Sequence, residues 1–254
     1  MAFEVATHIL IILMGAAFLA GFVDSIAGGG GLITLPALML TGADPVTALA
    51  TNKVQGLFGA GSAAVSYTRA GKVDPRKQIG TAAIAFCAAI CGALMASHLP
   101  VGVIRLGLPF LLIAIALFFA LKPGLSDIDS TARMPLWAFS CTFVPLIGFY
   151  DGMLGPGTGS FLMIAFVSMA GYGVLKATAH TKFINFSTNL GATAAYAVVA
   201  TPWWYTGLAM GMAQVAGAAL GARLAVRIGA PIIKPVLVIS STALALKLLW
   251  DAFA

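Results

Sequence analysis

The sequence predicts an all-α polytopic membrane protein built from two inverted-topology repeats of about five helical elements each, with a broken or re-entrant glycine-rich helix pair in each half. Three observations predict it. Hydrophobic residues make up 60% of the 254 positions and charged residues only 9%, with a mean hydropathy of +1.00. A soluble domain carries roughly a quarter charged residues, so this chain has too little polar surface to cover a water-facing globule. Apolar runs such as 79–97, 101–121 and 232–250 are long enough to cross a hydrocarbon core of roughly 30 Å at 1.5 Å per residue. They are continuous rather than alternating, which selects helices over a barrel. Finally, the chain repeats its own motifs in order.

The repeat is read from four anchors. Gly21-Phe-Val-Asp24 answers Gly148-Phe-Tyr-Asp151, and Gly28-Gly-Gly-Gly31 answers Gly155-Pro-Gly-Thr-Gly159. The offset is 151 − 24 = 127. Ala50-Thr-Asn-Lys53 then answers Ala179-His-Thr-Lys182, and Gly92-Ala93 answers Gly221-Ala222, both at 182 − 53 = 129. Arg105 and Lys234 continue at that spacing. One small length change after the glycine segment reconciles the two offsets.

In chain order, the first element is expected over about 3–26 and ends in the glycine-rich break. It opens with Glu4 and His8 and no Lys or Arg, unlike the basic start of a cleaved signal peptide, so it is expected to stay. A short helix over about 32–41 follows, too brief to span and suited to a re-entrant or broken-hairpin geometry. Spans at 45–69, 77–97 and 101–121 complete the first repeat, residues 1–121. Residues 122–134 form a cytoplasmic linker, made water-loving by Asp127 and Asp129. The second repeat, 135–254, gives elements at 135–154, 159–170, 174–200, 205–226 and 231–253.

Orientation follows from basic residues. The loop from Arg69 to Lys77 carries four positive residues and one Asp, whereas its counterpart, 201–207, is uncharged and aromatic. In the next pair of loops the asymmetry reverses, with Arg223 and Arg227 in the second half. The positive-inside rule puts the basic loops in the cytoplasm and 201–207 outside, with Trp203, Trp204 and Tyr205 as an aromatic belt. Equivalent loops thus face opposite sides, an odd number of crossings separates them, and both termini lie outside. The net charge of +6 fits cytoplasmic loops and carries no implication of nucleic-acid binding. Cys87, Cys91 and Cys141 lie in apolar runs without metal-ligand spacing, so packing is expected and neither metal nor cofactor is implied.

Two constellations carry candidate chemistry. One is the pair of breaks, Asp24-Ser25-Ile-Ala-Gly28-Gly29-Gly30-Gly31 and Asp151-Gly-Met-Leu-Gly155-Pro-Gly157-Thr158-Gly. Helices starting after such breaks present unpaired N–H groups and positive dipole ends, which attract anions. Duplicated interruptions point to a transporter site, with Ser25, Thr158 and Ser160 adding hydroxyls. The plainer reading is close helix packing through small residues. The other constellation is a lysine in each half: Asn52, Lys53 and Gln55 in one, Thr181, Lys182, Asn185 and Asn189 in the other. An ammonium within a span costs roughly 2.5–3.5 kcal/mol, although snorkelling to the interface would relieve it. Asn185 and Asn189, at i and i+4, share a face. Asp24 and Asp151 are read as lysine partners, helix caps or proton sites, and His180 as a candidate pH-sensitive group.

The run Gly21-Phe-Val-Asp-Ser-Ile-Ala-Gly-Gly-Gly-Gly-Leu-Ile-Thr-Leu-Pro36, followed by Ala48-Leu-Ala-Thr-Asn-Lys53, resembles the hallmark of the sulfite exporter TauE/SafE family of permeases. Gly155-Pro-Gly-Thr-Gly-Ser-Phe161 with Thr181-Lys182 resembles its second-half motif, so the resemblance runs from about Gly15 to the C-terminus. It implies a bacterial inner-membrane secondary transporter for sulfite or an organosulfonate, working by alternating access. A passive anion channel is the alternative. A homodimer, and coupling to protons or sodium, are left open. No nucleophile–base or metal set supports an enzyme.

Overall fold

A computed structural model describes residues 4–98, 127–233 and 235–236. Eight helices of the described residues define the architecture: α1 (Thr7–Ala27), α2 (Gly31–Leu40), α3 (Pro45–Arg69), α4 (Pro75–His98), α5 (Leu136–Met153), α6 (Thr158–Ser168), α7 (Val174–Val199) and α8 (Trp204–Ile228). No strand occurs among the described residues. The expected span at 101–121 lies outside them, as does nearly all of that at 231–253, and with these the Arg105–Lys234 correspondence.

α1, α8 and the 75–96 part of α4 are long and apolar enough to cross a membrane. α3 and α7 are equally long, at 25 and 26 residues, but carry the polar runs that include the lysines. The two short helices have 10 and 11 residues, so each rises only about 15–17 Å, half a hydrocarbon core. Both begin directly at the glycine breaks, as the sequence predicts.

Helix boundaries have local causes. α3 opens on Pro45 after Asp44, whose carboxylate accepts from the N–H groups of Val46 and Thr47 at 3.1 Å. α1 starts at Thr7, later than the apolar pattern suggests. Glu4 is occupied elsewhere: its carboxylate accepts from Tyr205 N–H, Thr206 N–H and the Thr206 hydroxyl, capping the start of α8. The linker is held similarly. Asp127 accepts from Leu175 N–H (3.0 Å) and Ala230 N–H (2.6 Å), and Asp129 from Gly173 N–H (2.7 Å) and Lys176 Nζ (2.6 Å). The Gly173 and Lys176 donors hold the Asp129 carboxyl below its ordinary range.

Close contacts fix the directions of the helices. Gly217 and Gly221 of α8 press on the carbonyls of Phe18 and Phe22 of α1, so these two run parallel. α3 is parallel to α8, with Gly207 against Thr51 and Gly211 against Phe58. α4 is parallel to α5 through Gly148 on Ala85 and Gly152 on Ala89, and to α7 through Gln78–His180 and the Ser187 hydroxyl on the Ala82 carbonyl. α3 and α7 run antiparallel, with Gly56 opposite Asn189 and Gly61 opposite Phe186. Thus α1, α3 and α8 point one way, and α4, α5 and α7 the other.

The contacts recur at the sequence offsets. Gly221 on Phe22 matches Gly92 on Phe149. The Tyr67 hydroxyl donates to the Ser25 carbonyl at 2.8 Å, and the Tyr196 hydroxyl to the Gly152 carbonyl at 3.1 Å. In each case 22 and 25 shift by 127 and 67 and 92 by 129.

Small residues permit these approaches, since lipid offers no hydrophobic drive for helix association and packing must supply it. A Cβ at Gly217 would collide with the Phe18 carbonyl, whereas one at exposed Gly15 would meet nothing within 4 Å. Gly217→Ala is therefore expected to lower stability by about 1–3 kcal/mol through overpacking. Gly15→Ala should raise it by up to about 1 kcal/mol through helix propensity. Thermal unfolding of detergent-solubilised protein, read by light scattering or fluorescence, checks both; equal melting temperatures would contradict the packing described.

Candidate anion site between the helix breaks

The two breaks meet. A Cβ on Gly28 would collide with the backbone of Ser160, Gly31 faces Pro156, and the Ser160 hydroxyl donates to the Ala27 carbonyl at 2.8 Å. α3 and α7, crossing beside this junction, bring their lysines to it from opposite sides.

The lysines do not snorkel. Lys53 and Lys182 are 1% and 0% exposed, and each finds a carboxylate on the other half of the chain. Lys53 Nζ lies 2.6 Å from Asp151 Oδ1, and Lys182 Nζ lies 2.8 Å from Asp24 Oδ2. Of the three readings of the aspartates, lysine partner describes their position, and the four formal charges cancel. The free positive charge that a lysine pair alone would offer is absent in this arrangement.

Gly155 shows why the break needs glycine. Its φ is +90°, and a Cβ there would sit 2.5 Å from Lys53 Nζ, so a side chain would be strained and would displace the ammonium. Gly159 plays the same part for Lys182, at 3.0 Å.

A cavity of about 30 Å³ lies at this junction, room for about two waters. Its walls combine Asp24, Lys53 and Asp151 with the amide side chains of Asn52, Gln55, Asn185, Asn189 and Gln214. Gly29, Gly31, Gly157 and Gly159 also line it, and their N–H groups have no acceptor among the described residues. Four glycines with acceptor-free N–H groups, at the starts of two helices, therefore border one small space, an arrangement that suits an anionic oxygen.

The amide side chains are partly ordered by one another. Asn52 Oδ1 accepts from the Thr34 hydroxyl at 2.6 Å and from Gln55 Nε2 at 2.8 Å, and Asn189 Nδ2 donates to Asn185 Oδ1 at 3.1 Å. Gln55 Oε1 and Gln214 Oε1 are buried without a hydrogen-bond partner.

Most of the residues read from the sequence meet here: Asp24, Gly29, Gly31, Asn52, Lys53, Gln55, Asp151, Gly155, Gly157, Thr158, Asn185 and Asn189 line the cavity, and Lys182 abuts Gly159 on its wall. Four do less. Ser25 is buried, its hydroxyl turned to the Phe22 carbonyl. Gly28 packs on the facing break, Gly30 donates its N–H to Asp24 Oδ1 at 3.0 Å, and Thr181 is buried away from the cavity lining. His180 stands apart, against Gln78, Phe166 and Tyr172. Gln214, Gly56 and Gly159 are wall residues the sequence reading left out. The signal for Gln214 was a lone carboxamide amid the small residues of α8, with Ala85 at the equivalent position of the first half.

Comparison with known proteins places the sequence in a family. The model of the family described as Sulfite exporter TauE/SafE matches residues 13–248. The chain belongs to the TauE/SafE sulfite exporter family. Its relatives include the "Probable membrane transporter protein ORF9" of Sinorhizobium sp, 54% identical over 248 residues covering 98% of this chain and 95% of the relative. The "Probable membrane transporter protein YfcA" of Escherichia coli K12 is 41% identical over 250 residues, 98% and 93% of the two chains. A "Probable membrane transporter protein" of Haemophilus influenzae is 38% identical, covering 98% and 97%. No solved structure matches the chain. As a TauE/SafE member it is a membrane-embedded transporter protein by family, not an enzyme.

The crossed pairs set a stability test. Removing one partner of a buried pair leaves an uncompensated charge and costs about 3–5 kcal/mol, whereas removing both is far milder. Lys53→Ala is therefore expected to lower the melting temperature sharply, and Lys53→Ala/Asp151→Ala to recover most of the loss. Additive losses in the double variant would show the two side chains to be uncoupled.

Proposed function

We propose that this chain is a secondary transporter for a small sulfur-containing oxyanion, sulfite or an organosulfonate, working by alternating access across a bacterial inner membrane. The observation that carries the reading is one cavity, where two broken helices meet, bordered by four glycines with acceptor-free N–H groups and by buried Lys53, with buried Lys182 against its Gly159 wall. A sulfonate or sulfite group presents three oxygens with shared negative charge. Backbone donors at helix starts, charge-assisted bonds from Lys53 and Lys182, and the amides of Asn52, Gln55, Asn185, Asn189 and Gln214 suit such a group.

Residues 1–121 and 135–254 form two inverted repeats in this proposal. The opposed directions of α1 and α5, α3 and α7, and α4 and α8, together with contacts recurring at offsets 127 and 129, support it. With residues 122–134 and the basic loops in the cytoplasm, both termini face outside. The cavity holds about two waters as it stands, so substrate entry requires the helix junction to open. That requirement favours a gated carrier over a passive channel, as does the naming of the relatives as transporter proteins.

The test is sulfite flux into proteoliposomes of purified protein, with taurine, sulfoacetate, thiosulfate and sulfate as competitors. Saturable flux is expected. It should fall by about 10–100-fold in folded Lys53→Ala or Lys182→Ala, the loss of one charge-assisted contact of about 1.5–3 kcal/mol. Absence of flux and of competition for all of these anions, with folded protein, would overturn the sulfur-anion assignment.

A further inference from the structure

The two aspartates occupy equivalent positions in the breaks but are not equally served. Asp24 uses both oxygens: Oδ1 accepts from Gly30 N–H at 3.0 Å and Oδ2 from Lys182 at 2.8 Å. Asp151 concentrates its donors on one oxygen. Lys53 Nζ at 2.6 Å and the Thr158 hydroxyl at 2.8 Å both meet Oδ1, and Oδ2 is buried with no partner. Asp151 is also the more deeply enclosed of the two side chains, 2% exposed against 15%.

The cause is local. Gly30 adopts a right-handed helical conformation, φ −55° and ψ −38°, and its N–H reaches back to Asp24. Its counterpart at offset 127, Gly157, follows Pro156 and is left-handed, φ 85° and ψ −5°. Its N–H reaches no acceptor, and Thr158, in place of Gly31, supplies a hydroxyl instead. Replacing Gly-Gly-Gly-Gly by Gly-Pro-Gly-Thr thus removes the donor that would have served the second oxygen.

A carboxylate oxygen that is buried without a protein donor is costly. Asp151 lines the same cavity as Gln55 and Gln214, whose Oε1 atoms are also buried and unpartnered. Three acceptors on that wall lack a hydrogen-bond partner, and a proton on Asp151 Oδ2 removes one of them and supplies a donor. The groups around Asp151 leave it as the site of uptake. Lys53 faces it from α3 and Thr158 from α6. Tyr196, from α7, gives its hydroxyl to the Gly152 carbonyl, and Tyr150, on α5 itself, gives its hydroxyl to the Pro156 carbonyl. From α4, the small residues Ala85, Ala88, Ala89 and Gly92 pack against this stretch. The Asp24–Lys182 pair lies across the cavity.

We propose that Asp151, and not its counterpart Asp24, binds the coupling proton of the transport cycle. One proton adds to Oδ2, the carboxylate becomes a neutral acid, and Lys53 is left with a positive charge that an incoming monoanion neutralises. Proton and anion then enter the site together, with no net change in its charge. Asp24 stays ionised on Lys182. This rests on the transporter reading above and deepens it. A sodium ion would meet the same acceptors, but the Lys53 ammonium beside them repels it.

Two measurements on protein in lipid test it. The first needs no anion: infrared spectroscopy during acid titration, following the C=O band of a protonated carboxyl shielded from solvent. A single such band is expected in wild type and in Asp24→Asn, and not in Asp151→Asn. A band lost in Asp24→Asn and kept in Asp151→Asn, or no such band at all, would overturn the assignment. The second is calorimetric binding of methanesulfonate, which remains a monoanion throughout, in sodium-free buffers of differing ionisation enthalpy. Wild type is expected to take up one proton per anion, with affinity rising about tenfold for each unit that the pH falls, and Asp151→Asn to bind without pH dependence. Binding that is flat from about pH 8 to about pH 5, or that requires sodium, would also overturn it. If no sulfur anion binds or moves, the function above fails while the infrared result still decides the proton site.

Discussion

Everything in the fold is arranged around two buried ion pairs that cross from one half of the chain to the other. A lone ammonium or carboxylate at this depth is expensive, and the pair is tolerable only because each charge has its opposite within 2.6–2.8 Å. The partners come from different helices, α3 with α5 and α7 with α1, so neither charge can be satisfied until both halves have folded and met. Breaking a pair requires something to take the place of a charge. That gives the site its chemistry as well as its strength: the replacement for a carboxylate is either another anion or a proton.

Around this centre the packing falls into two tiers. α1 with α8, and α4 with α5, are joined where glycines bring backbones into direct contact, at Gly217, Gly221, Gly92 and Gly152. Such joints have no flexible side chain to repack and move as units. α3 and α7 meet each other through softer contacts, Gly56 with the Asn189 amide and Gly61 with the Phe186 ring, and these two helices carry the lysines. Backbone-to-backbone joints outside and side-chain contacts inside leave the seam that carries the charges the less tightly locked of the two.

Much of this was legible in the sequence because it rests on local chemistry that a duplicated chain displays twice. Glycine runs end helices wherever they occur, so the breaks and the short helices after them could be read to within a residue or two. The lysines could be singled out because apolar flanks leave an ammonium few innocent explanations. The cross-pairing could not be read, since it depends on the antiparallel meeting of α3 and α7, which no spacing within either half encodes. Ser25 and Thr181 sit in the right motifs but on the wrong faces of their helices, information that a motif lacks. Gln214 was missed for the opposite reason: it belongs to no motif, and the symmetry that exposed the other residues gives it an alanine as its counterpart.

The four glycine N–H groups have a consequence for how such a site can diversify. A main-chain amide is the same at every position except proline, so no single exchange of side chain can recode what these donors prefer. In the proposed transporter, recognition of an oxyanion head would thereby be fixed by the course of the backbone, and a mutation that disturbed it would cost the fold before it changed the cargo. The carboxamides of Asn52, Gln55, Asn185, Asn189 and Gln214 are under no such restraint. On the proposed function, a site built this way would keep a common grip on the head group while exchanges at these five residues admitted different tails, a division of labour between main chain and side chain.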